Sequence, residues 1–168
     1  MEKKLKKSKP IVYAICGKSA SGKDTIAKQI ENYYLARGED AKVVKNITTR
    51  PPRKGEINAY NYRLKIEDEN VISLGTFRGW SYAIPRDAFC HDINICVINA
   101  KTFKNVVEEL EKDFVVKTIY LDVPFLTRLK RSVLREKKIR PEFFRRAFVD
   151  WLDFRTLKKD VKFYVTIS

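Results

Sequence analysis

One short segment constrains the fold more than any other: Gly17-Lys18-Ser19-Ala20-Ser21-Gly22-Lys23-Asp24-Thr25, set between an apolar run at 11–16 and a helical pattern at 24–36. Two glycines let a backbone wrap around a phosphate, and the amides at the start of the following helix point inward at it. Lys23 carries a flexible point charge toward the outer phosphates. The spacing G-x-x-x-x-G-K-[ST] is met except at the hydroxyl position, which Asp24 occupies with Thr25 one residue later. A glycine-rich strand-to-helix turn that binds nothing is the plain alternative, and the strand before and helix after argue against it. Asp24 keeps two readings open: an oxygen ligand for Mg2+, or an acid in the first turn of a helix.

Residues 11–16 are β-rich and bounded by glycine, which predicts a buried first strand. Ile26, Ala27, Ile30, Tyr33 and Tyr34 recur at helical spacing, and Gly38 supplies the stop. A second strand is expected at 41–44, and 48–61, with Pro51, Pro52 and Gly55, reads as loop. Strands follow at 93–98 and 114–123, with a helix at 103–111 between them and a basic helix at 125–138 after them. Pro141 opens another helix running to about 157, and 161–167 closes the chain as a strand. No repeat or linker divides the sequence, so one domain, 1–168, is expected. Alternating strands and helices call for a parallel sheet covered on both faces. The stretch from about 46 to 85 interrupts that alternation and reads as a small inserted substrate-handling subdomain.

A length of 168 residues and an apolar fraction of 44% suit one globular core. The net charge of +14 suits phosphate-rich small molecules, nucleic acid or an anionic surface, and does not choose among them. The tail at 1–10 carries five lysines ahead of an apolar run, an arrangement that can imitate a secretion signal; Gly17 ends the run after six residues and no small-residue cleavage site follows. No stretch is long and apolar enough to span a bilayer. Cys16, Cys90 and Cys96 have no metal-ligand spacing, and Cys16 and Cys96 sit in strand-like runs, which favours reduced core cysteines and a cytoplasmic location. His91, the single histidine, lies in a polar turn and argues against a histidine triad or metal cluster. Trp80, Tyr82, Trp151 and Phe154 read as core aromatics rather than base-stacking platforms. Asp122, at a strand end beside the loop, is a candidate magnesium support or a helix-opening acid ahead of Pro124.

At Asn46-Ile47-Thr48-Thr49-Arg50-Pro51-Pro52-Arg53-Lys54-Gly55-Glu56-Ile57-Asn58, and on to Tyr62, the sequence resembles guanylate kinase, whose monophosphate-binding region carries T-T-R-x-x-R-x-G-E-x-N-G-x-D-Y. The resemblance implies an α/β P-loop NTPase fold with an arginine-rich lid at about 128–146, a nucleoside-monophosphate kinase activity, ATP as donor and Mg2+ as cofactor. It places Arg50, Arg53, Tyr62 and Tyr82 on the acceptor phosphate. Two guanidinium forks and two phenols are chemically suited to a dianion. Arg128, Arg131 and Arg145 match lid arginines that clamp the transferring group, with a solvated basic helix face as the alternative.

The departures bear on the substrate. The family's guanine-reading acid falls on Ser73 and a guanine-reading serine on Asn46, while Ile84 replaces a third polar contact. Two aspartates of a strand end become Val97 and Asn99, which removes the usual outer support for Mg2+. Gly22-Lys23-Asp24, Thr49-Arg50-Pro51, Tyr82-Ala83-Ile84-Pro85 and Asn99 also resemble ribose-bisphosphate phosphokinase, which lacks the 58–62 element present here. Phage deoxynucleoside-monophosphate kinases share the G-K-D-T loop. The last helix of guanylate kinases, after their final strand, has no counterpart in the sequence. The expected partners are therefore ATP and a nucleoside monophosphate, with a sugar-phosphate kinase as second reading and a non-catalytic nucleotide- or nucleic-acid-binding module as third.

Overall fold

The computed structural model describes residues 9–52, 60–66, 70–77, 79–138 and 141–167. In chain order the elements are β1 (Ile11–Gly17), α1 (Lys23–Leu35), β2 (Ala41–Val43), β3 (Ile47–Thr48), β4 (Asn61–Tyr62), β5 (Val71–Phe77), β6 (Trp80–Pro85), β7 (Ile93–Val97), α2 (Ala100–Leu110), β8 (Val115–Leu121), α3 (Phe125–Glu136), α4 (Pro141–Asp160) and β9 (Val165–Ile167). Five strands form one parallel sheet in the order β2-β7-β1-β8-β9.

The apolar run of β1 has a simple cause: it is buried on both faces, as the centre of a parallel sheet must be. Val12, Ala14 and Cys16 face a core shared with Phe103, Val106 and Leu110 of α2 and with Phe154 and Leu157 of α4. Ile15 faces the opposite core, where Ala27 of α1, Ile95 and Ile119 meet. Burial pushes both the Cys16 and Cys96 thiols up to about 12, in keeping with the expected inert core cysteines. Cys90 is exposed.

From β1 the chain turns first to β2 and β7 on one side and later to β8 and β9 on the other. That reversal opens a crevice over the carboxyl ends of the strands, the place where ligands bind in such sheets. The loop after β1 lies there. The chain after β7 (residues 98–99) and after β8 (residues 122–124) reaches the same edge, because Ile15 pairs with Val97 and Gly17 with Leu121.

The inserted region holds a second sheet, ordered β4-β3-β6-β5. Its β5–β6 hairpin falls in a stretch given no strands above. The signal was a short alternation on each side of Gly79, which turns the chain with φ of 75°. Conversely, the closing strand is shorter than expected. α4 runs on to Asp160, and Tyr164 N–H then bonds Thr118 O at 3.0 Å ahead of the ladder proper. Among the described residues no helix is long and apolar enough to cross a membrane.

Candidate functional site

The loop at 17–22 is shaped by close packing. A Cβ on Gly17 would stand 2.7 Å from Ser21 Oγ and 2.9 Å from Leu121 Cβ, so only glycine fits against β8. Gly22 has φ of 93°, a left-handed conformation that glycine takes without strain, and it precedes the first residue of α1. Ala20 is also left-handed, with φ of 60°. Lys23 folds back over the loop, its Nζ donating to Gly17 O at 2.7 Å and Lys18 O at 3.2 Å. Burial lowers its pKa against the opposing pull of Asp24 and Asp150. Ser21 Oγ is the one buried side-chain polar atom without a partner among the described residues.

Helices α3 and α4 close one side of the loop. Arg128 is buried, and its guanidinium donates to Val123 O and Ser19 O, each at 3.2 Å. Arg131 Nη1 donates to Ser21 O at 2.8 Å. From α4, Asp150 Oδ2 accepts from the Ser19 N–H at 2.6 Å and lies 3.9 Å from Arg128 Nη1. Asp122 sits just past β8 and is held by Lys158 at 2.6 Å, by the Tyr120 hydroxyl at 3.0 Å and by Lys18 at 3.5 Å. Partial burial works to raise its carboxyl, and these donors outweigh burial and hold it below the ordinary carboxylate value.

The second sheet adjoins the end of β7. Tyr62, Thr48 and Tyr82 stand in register across β4, β3 and β6, and Gly75 of β5 continues the row. Thr48 Oγ1 accepts from the Arg50 N–H at 3.1 Å and donates to Ser81 O at 3.1 Å. Tyr60 packs on Tyr62 and Tyr82, with ring centroids 6.0 and 6.4 Å away, and the Arg50 guanidinium lies 5.6 Å over its ring. Asn46 Nδ2 donates to Val97 O at 2.9 Å, and Ile98 N–H donates to Ile15 O at 2.9 Å. A hydrogen-bonded path through the Asn46 side chain thus links the second sheet to the strand that carries the loop.

No protein-family model matches the chain. It is 34% identical over 77 residues to guanylate kinase of Caldanaerobacter subterraneus subsp. tengcongensis, covering 45% of this chain and 35% of that protein. It is 32% identical over 117 residues to guanylate kinase of Mesoplasma florum, covering 64% and 35% respectively. Each match thus spans about a third of the curated relative's length. The crystal structure of guanylate kinase from Anaplasma phagocytophilum superposes with a TM-score of 0.56 at 17% identity, over 96% of this chain and 77% of that one. The chain shares the α/β P-loop NTPase fold of that guanylate kinase.

Within that fold, residues 17–25 form one unit with Arg128 and Arg131, while Arg50, Tyr62 and Tyr82 form another. Ser73 pairs with the buried Ile84 immediately after a register shift in β5. Asn99 is exposed at the N-terminus of α2, with no side-chain cap bond. Arg145 is not brought to the loop; its guanidinium closes on Glu142 one turn earlier, at 3.0 and 3.2 Å. Arg53 and the rest of 53–59, like residues 1–8 of the basic tail, lie outside the described residues.

One expectation needs correction. Trp151 and Trp80 are about half exposed, and only Phe154 of the four weighed aromatics is buried. On α4, Phe148 and Trp151 stack with centroids 6.2 Å apart and Arg155 covers the indole, a surface ladder at i, i+3 and i+7 spacing. Of the two readings left open for Asp122, its pairing with Lys18 and Lys158 weighs against the magnesium one.

No three His, Cys, Asp or Glu side chains group as metal ligands among the described residues. A magnesium ion held mostly by substrate phosphates and water needs only one or two carboxylates. Asp24, exposed in the first turn of α1 beside Lys23, fits that requirement. The sequence reading missed Asp150 and Tyr60. An acid in the middle of an amphipathic helix and a tyrosine in a polar loop carry no local signal of what they face.

Proposed function

We propose that this protein transfers the γ-phosphoryl group of ATP to a small phosphate-bearing acceptor, with a nucleoside monophosphate as the acceptor class. The observation that carries this reading is the loop after β1. A glycine-bounded turn opens a helix at the crevice edge, a lysine lies across it, and two arginines hold it from α3. Phosphoryl transfer asks little covalent chemistry of a protein; it asks for positioning and neutralised charge. Lys23 and Arg131 supply cationic donors to the donor phosphates. Asp24 would hold Mg2+ where the ion is bound, and the ion would supply charge neutralisation on the donor phosphates. Arg50, Tyr62 and Tyr82 fix the acceptor phosphate, whose own oxygen is the nucleophile, so no protein base is required. Arg53 belongs to the same proposal by its place in the 46–62 segment.

The acceptor's base is the point where this chain departs from guanylate kinases. Ser73 faces an isoleucine across the ladder, and one Asn46 amide hydrogen is committed to Val97 O. A guanine would find no carboxylate at Ser73. Sites built on such contacts lose discrimination steeply without them. ADP release is to be measured with every ribo- and deoxyribonucleoside monophosphate and with ribose bisphosphate. The expected result is turnover with one monophosphate and a GMP kcat/KM lower by on the order of 10²-fold or more. GMP as best acceptor would show that other residues read the base. Turnover with ribose bisphosphate alone would replace the nucleotide by a sugar phosphate, and no turnover with any acceptor would overturn the proposal.

A further inference from the structure

Asp150 lies midway along α4 and is mostly buried, with its side chain 19% exposed. Its Oδ2 takes the Ser19 N–H at 2.6 Å, while Arg128 takes the carbonyl of the same residue at 3.2 Å. Ser19 is therefore gripped at both ends by two side chains that also balance each other's charge. The grip is firm, because α4 is anchored a turn or two further on by the buried Phe154 and Leu157. The Ser19 N–H belongs to the run of backbone donors that a loop of this spacing turns toward phosphate. A carboxylate oxygen has the charge and the acceptor character of a phosphate oxygen, and one N–H makes one strong bond.

We propose that Asp150 is a built-in competitor for the phosphate loop, holding the Ser19 amide in place of a phosphate oxygen and so setting the affinity for phosphate-bearing ligands. The proposal rests on the reading of residues 17–25 as the phosphate site. When a polyphosphate enters, Asp150 releases Ser19, and Arg128 loses its counter-charge beside the incoming anion. Asp150 is thus a positioning residue. It touches the loop and not the reacting atoms. Its neighbour Trp151, half exposed and stacked on Phe148, rides on the same turn and reports the release.

The test compares the wild type with Asp150→Asn and Asp150→Ala, using ATP, inorganic tripolyphosphate and adenosine in isothermal titration. Both variants are expected to bind ATP and tripolyphosphate about 10-fold more tightly, the scale of one charge-assisted hydrogen bond removed from competition. Adenosine affinity is expected to stay the same. Variants that bind ATP no better than a normally binding wild type overturn the proposal and leave the phosphate-loop reading intact. An equal gain for adenosine also overturns it, since that marks general loosening. No binding of ATP or tripolyphosphate by any of the three removes both readings. Should the variants not fold, a Trp80→Phe background leaves Trp151 as the only indole. Its emission is expected to change on tripolyphosphate addition, and an unchanged emission alongside calorimetric binding counts against the proposal.

Discussion

Arg50 owes its place to short-range chemistry. Thr48 Oγ1 accepts its backbone N–H, and the Thr49 hydroxyl accepts the Ser81 N–H at 2.8 Å, which pins the residue to β6. The guanidinium is then carried over Tyr60, whose ring in turn packs on Tyr62 and Tyr82. If this group grips the acceptor, Arg50→Ala raises the acceptor KM by about 10- to 100-fold, the worth of a charge-assisted bidentate contact. ATP affinity stays nearly unchanged. Titration of each ligand separately checks the split, and lost ATP binding with normal acceptor binding would reverse the assignment. Residue types were legible here, because arginine and tyrosine in a T-T-R segment suit a dianion. Their partners were not. Tyr60 reaches Arg50 only through the pairing of β3, β4 and β6, which nothing in a polar loop announces.

At the scale of elements, periodicity did most of the work. The double-sided burial of β1 made its run continuous, and α1 began one residue from where the pattern started. The β5–β6 hairpin escaped because its strands sit half exposed in a small sheet, where alternation is weak and Gly79 looked like one more loop residue. The junction between β1 and α1 shows how sharply packing can specify sequence. Gly17→Ala would drive a methyl against Ser21 Oγ, Leu121 Cβ and the Leu121 carbonyl, the last at 3.0 Å. A loss of about 1–3 kcal/mol in thermal stability is expected, the usual range for overpacking, together with lost nucleotide binding as the loop is displaced. Gly38→Ala is the control. Gly38 has φ of 76° with no heavy atom within 4 Å of an added Cβ, so its cost is backbone strain of about 1–2 kcal/mol and nucleotide binding persists. Equal loss of binding in both variants would show that the loop responds to stability alone.

Across the whole molecule, the loop with α3 and α4 lies at the carboxyl ends of β1 and β8, and the second sheet is tied to the end of β7 through Asn46 and Val97. The net charge of +14 suits phosphate-bearing ligands in general. Charge alone left nucleic acid as an option, and a loop with Lys23 folded across it is what favours a small polyanion. The position of Arg145, paired with Glu142, shows where sequence reasoning stops, since an arginine's partner depends on how a helix is rotated. The most direct test uses ATP labelled at the γ-phosphate with the best acceptor, followed by separation of the products, for the wild type and Lys23→Ala. The account predicts label in the acceptor's new phosphate for the wild type. For the variant it predicts a rate lower by at least on the order of 10²–10³-fold with the fold retained, as expected when a donor to developing charge is removed. Label found only in inorganic phosphate, or a Lys23→Ala rate close to that of the wild type, would contradict it.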